Sequence, residues 1–163
     1  MLGIIRQNQS LVEQAIHLIQ SIEPALYKQP CEEVFVSSIG QHMRHCIEHY
    51  DELLIAHLEK RTVHYHARPR DIEVEVDSKV AVNRLRFVYS QLDRMGNENA
   101  SLKVSDGGIA EPSESCLSRE LEFLVSHTVH HFALIKVIAD KFQIEVAENF
   151  GIAPTTLRYR ESG

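Results

Sequence analysis

Residues 117–142 read LSRELEFLVSHTVHHFALIKVIADKF, and this stretch decides the fold. Leu117, Leu121, Leu124, His127, His131, Leu134, Ile135, Ile138 and Phe142 recur at steps of three and four, the period of a helix with one inward face. The spacing predicts a helix from about Ser115 to Phe142. At about 100° per residue the wheel sets His127 and His131 in the middle of the apolar stripe. Two neutral imidazoles buried there are costly unless their nitrogens find partners, and a single metal ion satisfies both.

Working outward, the same period recurs three times. Ile4 to Glu23 carries Ile4, Leu11, Ala15, Leu18, Ile19 and Ile22 on one face, and Pro24 and Pro30 bracket the connector that follows. Ser38-Ile39-Gly40-Gln41 has the capping-box form, a hydroxyl at the N-cap and Gln three residues on. The helix it opens runs to about Lys60, with Ile39, Met43, Cys46, Ile47, Tyr50, Leu54 and Leu58 inward. Asp77 caps a third helix, which runs to about Met95 with Val80, Leu85, Val88 and Leu92 inward and ends at Gly96-Asn97. Residues 61–76 break the pattern: Arg68-Pro69-Arg70-Asp71 reads as a turn and Ile72-Glu73-Val74-Glu75-Val76 alternates like a short extended segment. Residues 97–116 read as a loop with a hairpin around Asp106-Gly107-Gly108, and Phe150 to Gly163 as a polar tail. The expectation is an all-α chain, a single domain over residues 1–163, built as a four-helix bundle with a long crossover between its second and third helices.

The composition narrows the function. The chain has 163 residues, a net charge of -6, 44% hydrophobic and 25% charged residues, which describes one soluble domain with a core. The acidic balance argues against nucleic acid as a partner. No apolar run approaches the about 20 residues that span a bilayer, so no membrane association is expected, and the N-terminus lacks a secretory pattern. Cys31, Cys46 and Cys116 are odd in number, widely spaced and form no CxxC, which removes a thiolate zinc knuckle and a disulfide framework and points to a cytoplasmic setting.

Histidine is the unusual residue. Of ten histidines, His42, His45 and His49 cluster in the second helix and His127, His130 and His131 in the last. His127 and His131 are four apart, so both imidazoles reach one ion from one helix face. The second helix supplies a third imidazole from a facing surface. Imidazole suits zinc, nickel, copper and iron(II), and three protein ligands leave a coordination position open for chemistry. The glutamate of HExxH is missing between His127 and His131, and no nucleophile motif is present. A di-metal carboxylate bundle of the ferritin-like type fails on its missing Glu-x-x-His motifs.

Two pieces together carry a resemblance: Ser37-Ser38-Ile39-Gly40-Gln41-His42-Met43-Arg44-His45 and, about 80 residues on, His127-Thr128-Val129-His130-His131. In these motifs, their order and its length, the chain resembles the DinB/YfiT-like superfamily of bacterial four-helix bundles. The resemblance implies a divalent metal, nickel or zinc, held by His45, His127 and His131. It also implies a metal-dependent transferase or hydrolase that acts on a small-molecule substrate, with a low-molecular-weight thiol as one class. Many members continue the second histidine of the pair with Arg-Gly-Gln; here Phe132-Ala133-Leu134 follows His131, so the substrates of those members do not transfer.

The helix wheel leaves the third ligand open, since His42 and His49 lie nearer the apolar stripe than His45 does. His42, His49, His130 and Glu48 are therefore candidates to orient a ligand or to replace one. Glu48 reads either as such a group or as an exposed helical glutamate. Tyr65, Arg68 and Arg70 follow closely in the crossover, where the arginines could bind a carboxylate or phosphate or form local ion pairs on a solvated loop. Cys46 reads as a small core residue, and His17, His57, His64 and His66 as exposed or capping. A non-catalytic metal-binding or stress-related dimerisation module is the rival reading, and a homodimer is the expected assembly.

Overall fold

The computed structural model describes residues 1–34, 36–105, 107–108 and 111–161. It is mostly helical. Four long helices, α1 (Leu2–Ser21), α3 (Ile39–Glu59), α5 (Ser78–Arg94) and α6 (Leu117–Lys141), carry the core. Each packs on two of the others: α1 and α3 each lie against both α5 and α6. Short elements fill the connections: α2 (Pro24–Lys28), a 3-10 turn at Tyr65–Ala67, α4 (Ile72–Val76), β1 (Ser101–Val104), β2 (Ser113–Cys116) and α7 (Pro154–Glu161).

The caps form where the sequence places them. Ser38 Oγ accepts the Gln41 N–H at 3.1 Å and Gln41 Oε1 accepts the Ser38 N–H at 3.2 Å, which starts α3. Asp77 accepts the Lys79 N–H at 2.8 Å and starts α5. The inward stripes of α1, α3, α5 and α6 meet in one core that includes Leu11, Ile47, Leu53, Leu85, Leu121 and Ile135. A buried polar pin crosses it. Tyr50 donates to Asn8 Oδ1 at 2.8 Å, and Asn8 Nδ2 donates to the Leu121 carbonyl at 3.2 Å, tying α3, α1 and α6 together.

Several expectations are corrected. Residues 72–76 are helical rather than extended, because Asp71 caps them by accepting the Glu73 N–H at 3.0 Å. Of the alternating apolar residues only Val74 is buried; Ile72 and Val76 are exposed, so the period-two pattern has no sheet to serve. Leu58, expected inward, is exposed at the end of α3. The tail is not merely polar: it contains α7, and Phe150 before it is buried with its ring stacked on Phe132 at 4.4 Å. The hairpin exists as the antiparallel pair β1–β2; of its expected turn, Asp106 lies outside the described residues. Finally, α6 is long and apolar enough by length and composition to cross a membrane, because Ser, Thr and His interrupt its apolar run without making it strongly polar. Here its inward side chains are part of the helix core.

The crossover between α3 and α5 is what positions the site, and it is fastened at three points. Arg61 grips Glu52 with both terminal nitrogens, at 2.6 and 2.9 Å, and Glu52 also takes the His64 N–H. Val63 exchanges backbone hydrogen bonds with β1, donating to the Lys103 carbonyl and accepting from the Ser105 N–H. The Asp71 N–H donates to Glu48 Oε1 at 2.6 Å. Further along, α4 crosses the start of α3 at Gly40, where an added Cβ would overlap the Glu75 carbonyl.

Candidate metal centre

The facing surfaces of α3 and α6 bring His42, His45, His49, His127 and His131 into one cluster. His45, His127 and His131 can each offer one ring nitrogen such that all three atoms lie within 4.8 Å of one another, a group able to hold a metal ion. His45 Nε2 is 3.1 Å from His127 Nε2. Two nitrogens on one tetrahedral zinc, at bonds of about 2.0–2.1 Å, stand about 3.3 Å apart, so this pair is already near that spacing. All three imidazoles are half-buried. The wheel had set His127 and His131 in the centre of the stripe; Thr128 and Phe132 hold that place, and the histidines sit on its flank toward α3.

The ring tautomers follow from the partners. His49 Nδ1 lies 2.7 Å from the His45 carbonyl, which can only accept, so Nδ1 carries the proton. His49 Nε2 then accepts from Arg68 Nη1 at 3.2 Å, and both nitrogens of His49 are engaged. Arg68 Nη2 donates to His45 Nδ1 at 3.2 Å, which puts the proton of neutral His45 on Nε2, aimed at His127. The proton of neutral His127 is left on Nδ1, a buried atom with no hydrogen-bond partner. On the other flank His131 Nδ1 meets His42 Nδ1 at 2.9 Å, and His42 Nε2 meets Ser37 Oγ at 3.0 Å.

Electrostatics keep these rings neutral. Burial, reinforced by His49, His131, Arg68 and His127, pulls the His45 pKa down to about 2. Burial is also the main cause for His49, at about 3, for His131, at about 3, and for His127, at about 4; Arg68 adds to the depression at His127. His42 is lowered by burial and by His130. Neutral imidazole is the form that ligates, so the donor set needs no deprotonation near pH 7. The set fits a borderline divalent ion, with one condition: Arg68 must give up His45 Nδ1.

The remaining predicted residues divide. Tyr65 is at the site, its ring stacked on His49 at 5.2 Å and its hydroxyl donating to Glu120 Oε2 at 3.0 Å. Arg68 is at the site; Arg70 is exposed, at a left-handed turn position with φ 56°, and is not brought to it. His130 is exposed, its ring edge-on to His131. Glu48 is 4% exposed, and its Oε2 faces Arg68 Nε at 3.7 Å. Cys46 is buried in the core, where burial pushes its thiol up to about 12 and removes it as a nucleophile. Sequence reasoning missed Phe123, whose ring lies 5.4 Å from that of His127, and the buried acceptor Glu120. Both lie within two turns before His127 on the same helix, which is the signal that could have found them.

No family model matches the chain, and no solved structure does. Among curated proteins it is similar to FK506-binding protein 5 of Rhizopus delemar, 28% identical over 105 residues, which cover 60% of this chain and 27% of that protein. The chain thus spans about a quarter of the length of the curated relative it matches.

Proposed function

We propose that the chain is a DinB-like four-helix bundle that holds one divalent ion, nickel or zinc, at His45, His127 and His131, and that it serves as a metal-dependent transferase or hydrolase for a small molecule. The observation that carries this is three neutral imidazoles from two facing helices converging within 4.8 Å. A divalent ion there would act as a Lewis acid, lowering the pKa of a water or of a small-molecule thiol. The chain's own residues do the rest. Tyr65 stacks on His49, and Phe123 packs tilted against Tyr65 and His127, an apolar wall on that flank. Arg68 reaches the cluster from the crossover and donates to His45 and His49.

A closed structural site would need a fourth protein ligand. Among the described residues the group that can share one ion is His45, His127 and His131; His42 and His49 lie outside it, His49 with its nitrogens at the His45 carbonyl and Arg68. That favours an open position and hence catalysis. The ligand in the name of the fungal relative is not carried over, because the similarity covers so little of that protein.

Elemental analysis of tag-free protein beside the His45→Ala, His127→Ala and His131→Ala variants tests the reading. The expected result is about one nickel or zinc ion per chain in the wild type and none in any folded variant. A wild type that stays metal-free after reconstitution with excess zinc or nickel rejects it.

A further inference from the structure

Arg68 stands where it obstructs any ion at His45. Its Nη2 donates to His45 Nδ1 and its Nη1 to His49 Nε2, each at 3.2 Å, and Nη1 also contacts the Tyr65 carbonyl. A neutral imidazole has one lone pair and one N–H on its two nitrogens. If His45 ligates through Nδ1, the ion and Nη2 need the same lone pair. If it ligates through Nε2, the ring proton moves to Nδ1, and two N–H donors then face each other. Either route requires the guanidinium to leave.

We propose that Arg68 and the ion are mutually exclusive partners of His45, and that loading the centre turns the guanidinium off His45 and onto Glu48. This rests on the reading of His45 as a ligand. The destination is already built. Arg68 Nε is buried without a hydrogen-bond partner, and Glu48 Oε2 stands 3.7 Å from it, just beyond hydrogen-bond reach. Glu48 is buried and its Oε1 takes the Asp71 N–H and faces Arg44 Nε at 3.9 Å, which leaves Oε2 to accept the Arg68 Nε–H. The backbone around Arg68 has little freedom, with Val63 sewn to β1 and Asp71 fixed on Glu48, so the change is a side-chain rotation rather than a loop opening. Arg68 is thus a positioning residue: it acts through His45 and sets how readily the centre loads.

The unusual consequence is that removing Arg68 tightens metal binding. Zinc titrations against a chromophoric chelator are expected to show Arg68→Met binding at least about tenfold more tightly than wild type, since a hydrogen bond from a charged donor no longer has to be broken. Arg68→Lys, which keeps the charge but loses the planar two-nitrogen fork, falls between the two. Glu48→Gln weakens zinc binding in the wild type and has no effect in the Arg68→Met background. A folded Arg68→Met protein that binds zinc no more tightly than wild type overturns the proposal. An independent readout needs no variant: in nitrogen-15 spectra of the wild type, the Arg68 side-chain resonances move in step with zinc, and resonances that stay fixed through full loading overturn it as well. If both proteins bind zinc equally, only this proposal falls; if neither binds zinc, the metal reading falls and takes this proposal with it.

Discussion

The two flanks of the histidine cluster are wired in opposite senses. On the His131 flank the facing groups are able to accept a proton: His42 Nδ1 lies 2.9 Å from His131 Nδ1, and Ser37 Oγ lies 3.0 Å from His42 Nε2. With the proton of His131 on Nδ1 and His42 accepting it, His131 Nε2 keeps its lone pair. On the His45 flank the facing group is Arg68, which only donates. Metal-ligating histidines normally give their second N–H to an acceptor. For the proposed ion, the contact between α3 and α6 gives one histidine an outer nitrogen that faces an acceptor, and the crossover gives another an outer nitrogen that faces a donor.

The largest effect that sharpens this comparison concerns His42. Its removal by His42→Ala is expected to weaken zinc binding by about 10–100-fold, the usual cost of losing a group that orients a ligand. The His42→Asn variant should recover most of the loss, because an amide oxygen can still accept the His131 N–H. Isothermal titration of the three proteins decides it. If Asn proves as poor as Ala, His42 is itself a ligand and the two flanks are not opposites.

The second effect is a pH dependence. A histidine whose folded pKa lies below its unfolded value near 6.5 binds more protons unfolded than folded, so stability rises with pH across that window. With His127 at about 4, His131 at about 3 and His45 at about 2, the zinc-free protein should lose stability as the pH drops below about 6.5. Each such histidine adds a slope of up to about 1.4 kcal/mol per pH unit. The loss should ease first near pH 4, when His127 charges within the fold. Urea midpoints measured from pH 7 to 4 test this, and midpoints that do not move would mean the rings are not held neutral.

How much of this was legible follows from which forces act locally. The long helices were, because a buried stripe repeats over many turns, and so were the Ser38–Gln41 and Asp77 caps, which are short-range chemistry. The convergence of His45, His127 and His131 was legible only in outline. A wheel averages over a whole helix: it placed His42 and His49 nearer the stripe than His45, and His49 is indeed buried, yet it is occupied by the His45 carbonyl and Arg68. The burial of Glu48 and Asn8 had no local signal, because each is held by partners far along the chain, Asp71 for the one, Tyr50 and Leu121 for the other. Five alternating residues at 72–76 misread as extended because the Asp71 cap outweighs a pattern too short to find a sheet.

The smallest expected effect tests whether the His45 flank depends on how the crossover is seated. Within a helix, replacing glycine by alanine ordinarily stabilises by about 1 kcal/mol, through backbone entropy. Gly40 lies in the first turn of α3, one turn before Arg44, and its Cα faces the Glu75 carbonyl and the Tyr27 ring. A methyl group there must push α4 away, although Tyr27 donates to the Val74 carbonyl at 2.7 Å and Gln41 and Arg44 both hold Glu75. Gly40→Ala should therefore reverse the usual sign and destabilise by about 1–3 kcal/mol, the range for overpacking a filled site. The expected path of the shift runs from α4 through Asp71 and Glu48 to Arg68. Thermal unfolding reads the first part, and zinc affinity the second: a destabilised variant with tighter zinc binding would place the control of His45 in the crossover, whereas unchanged affinity would place it in Arg68's own contacts with Tyr65, His45 and His49.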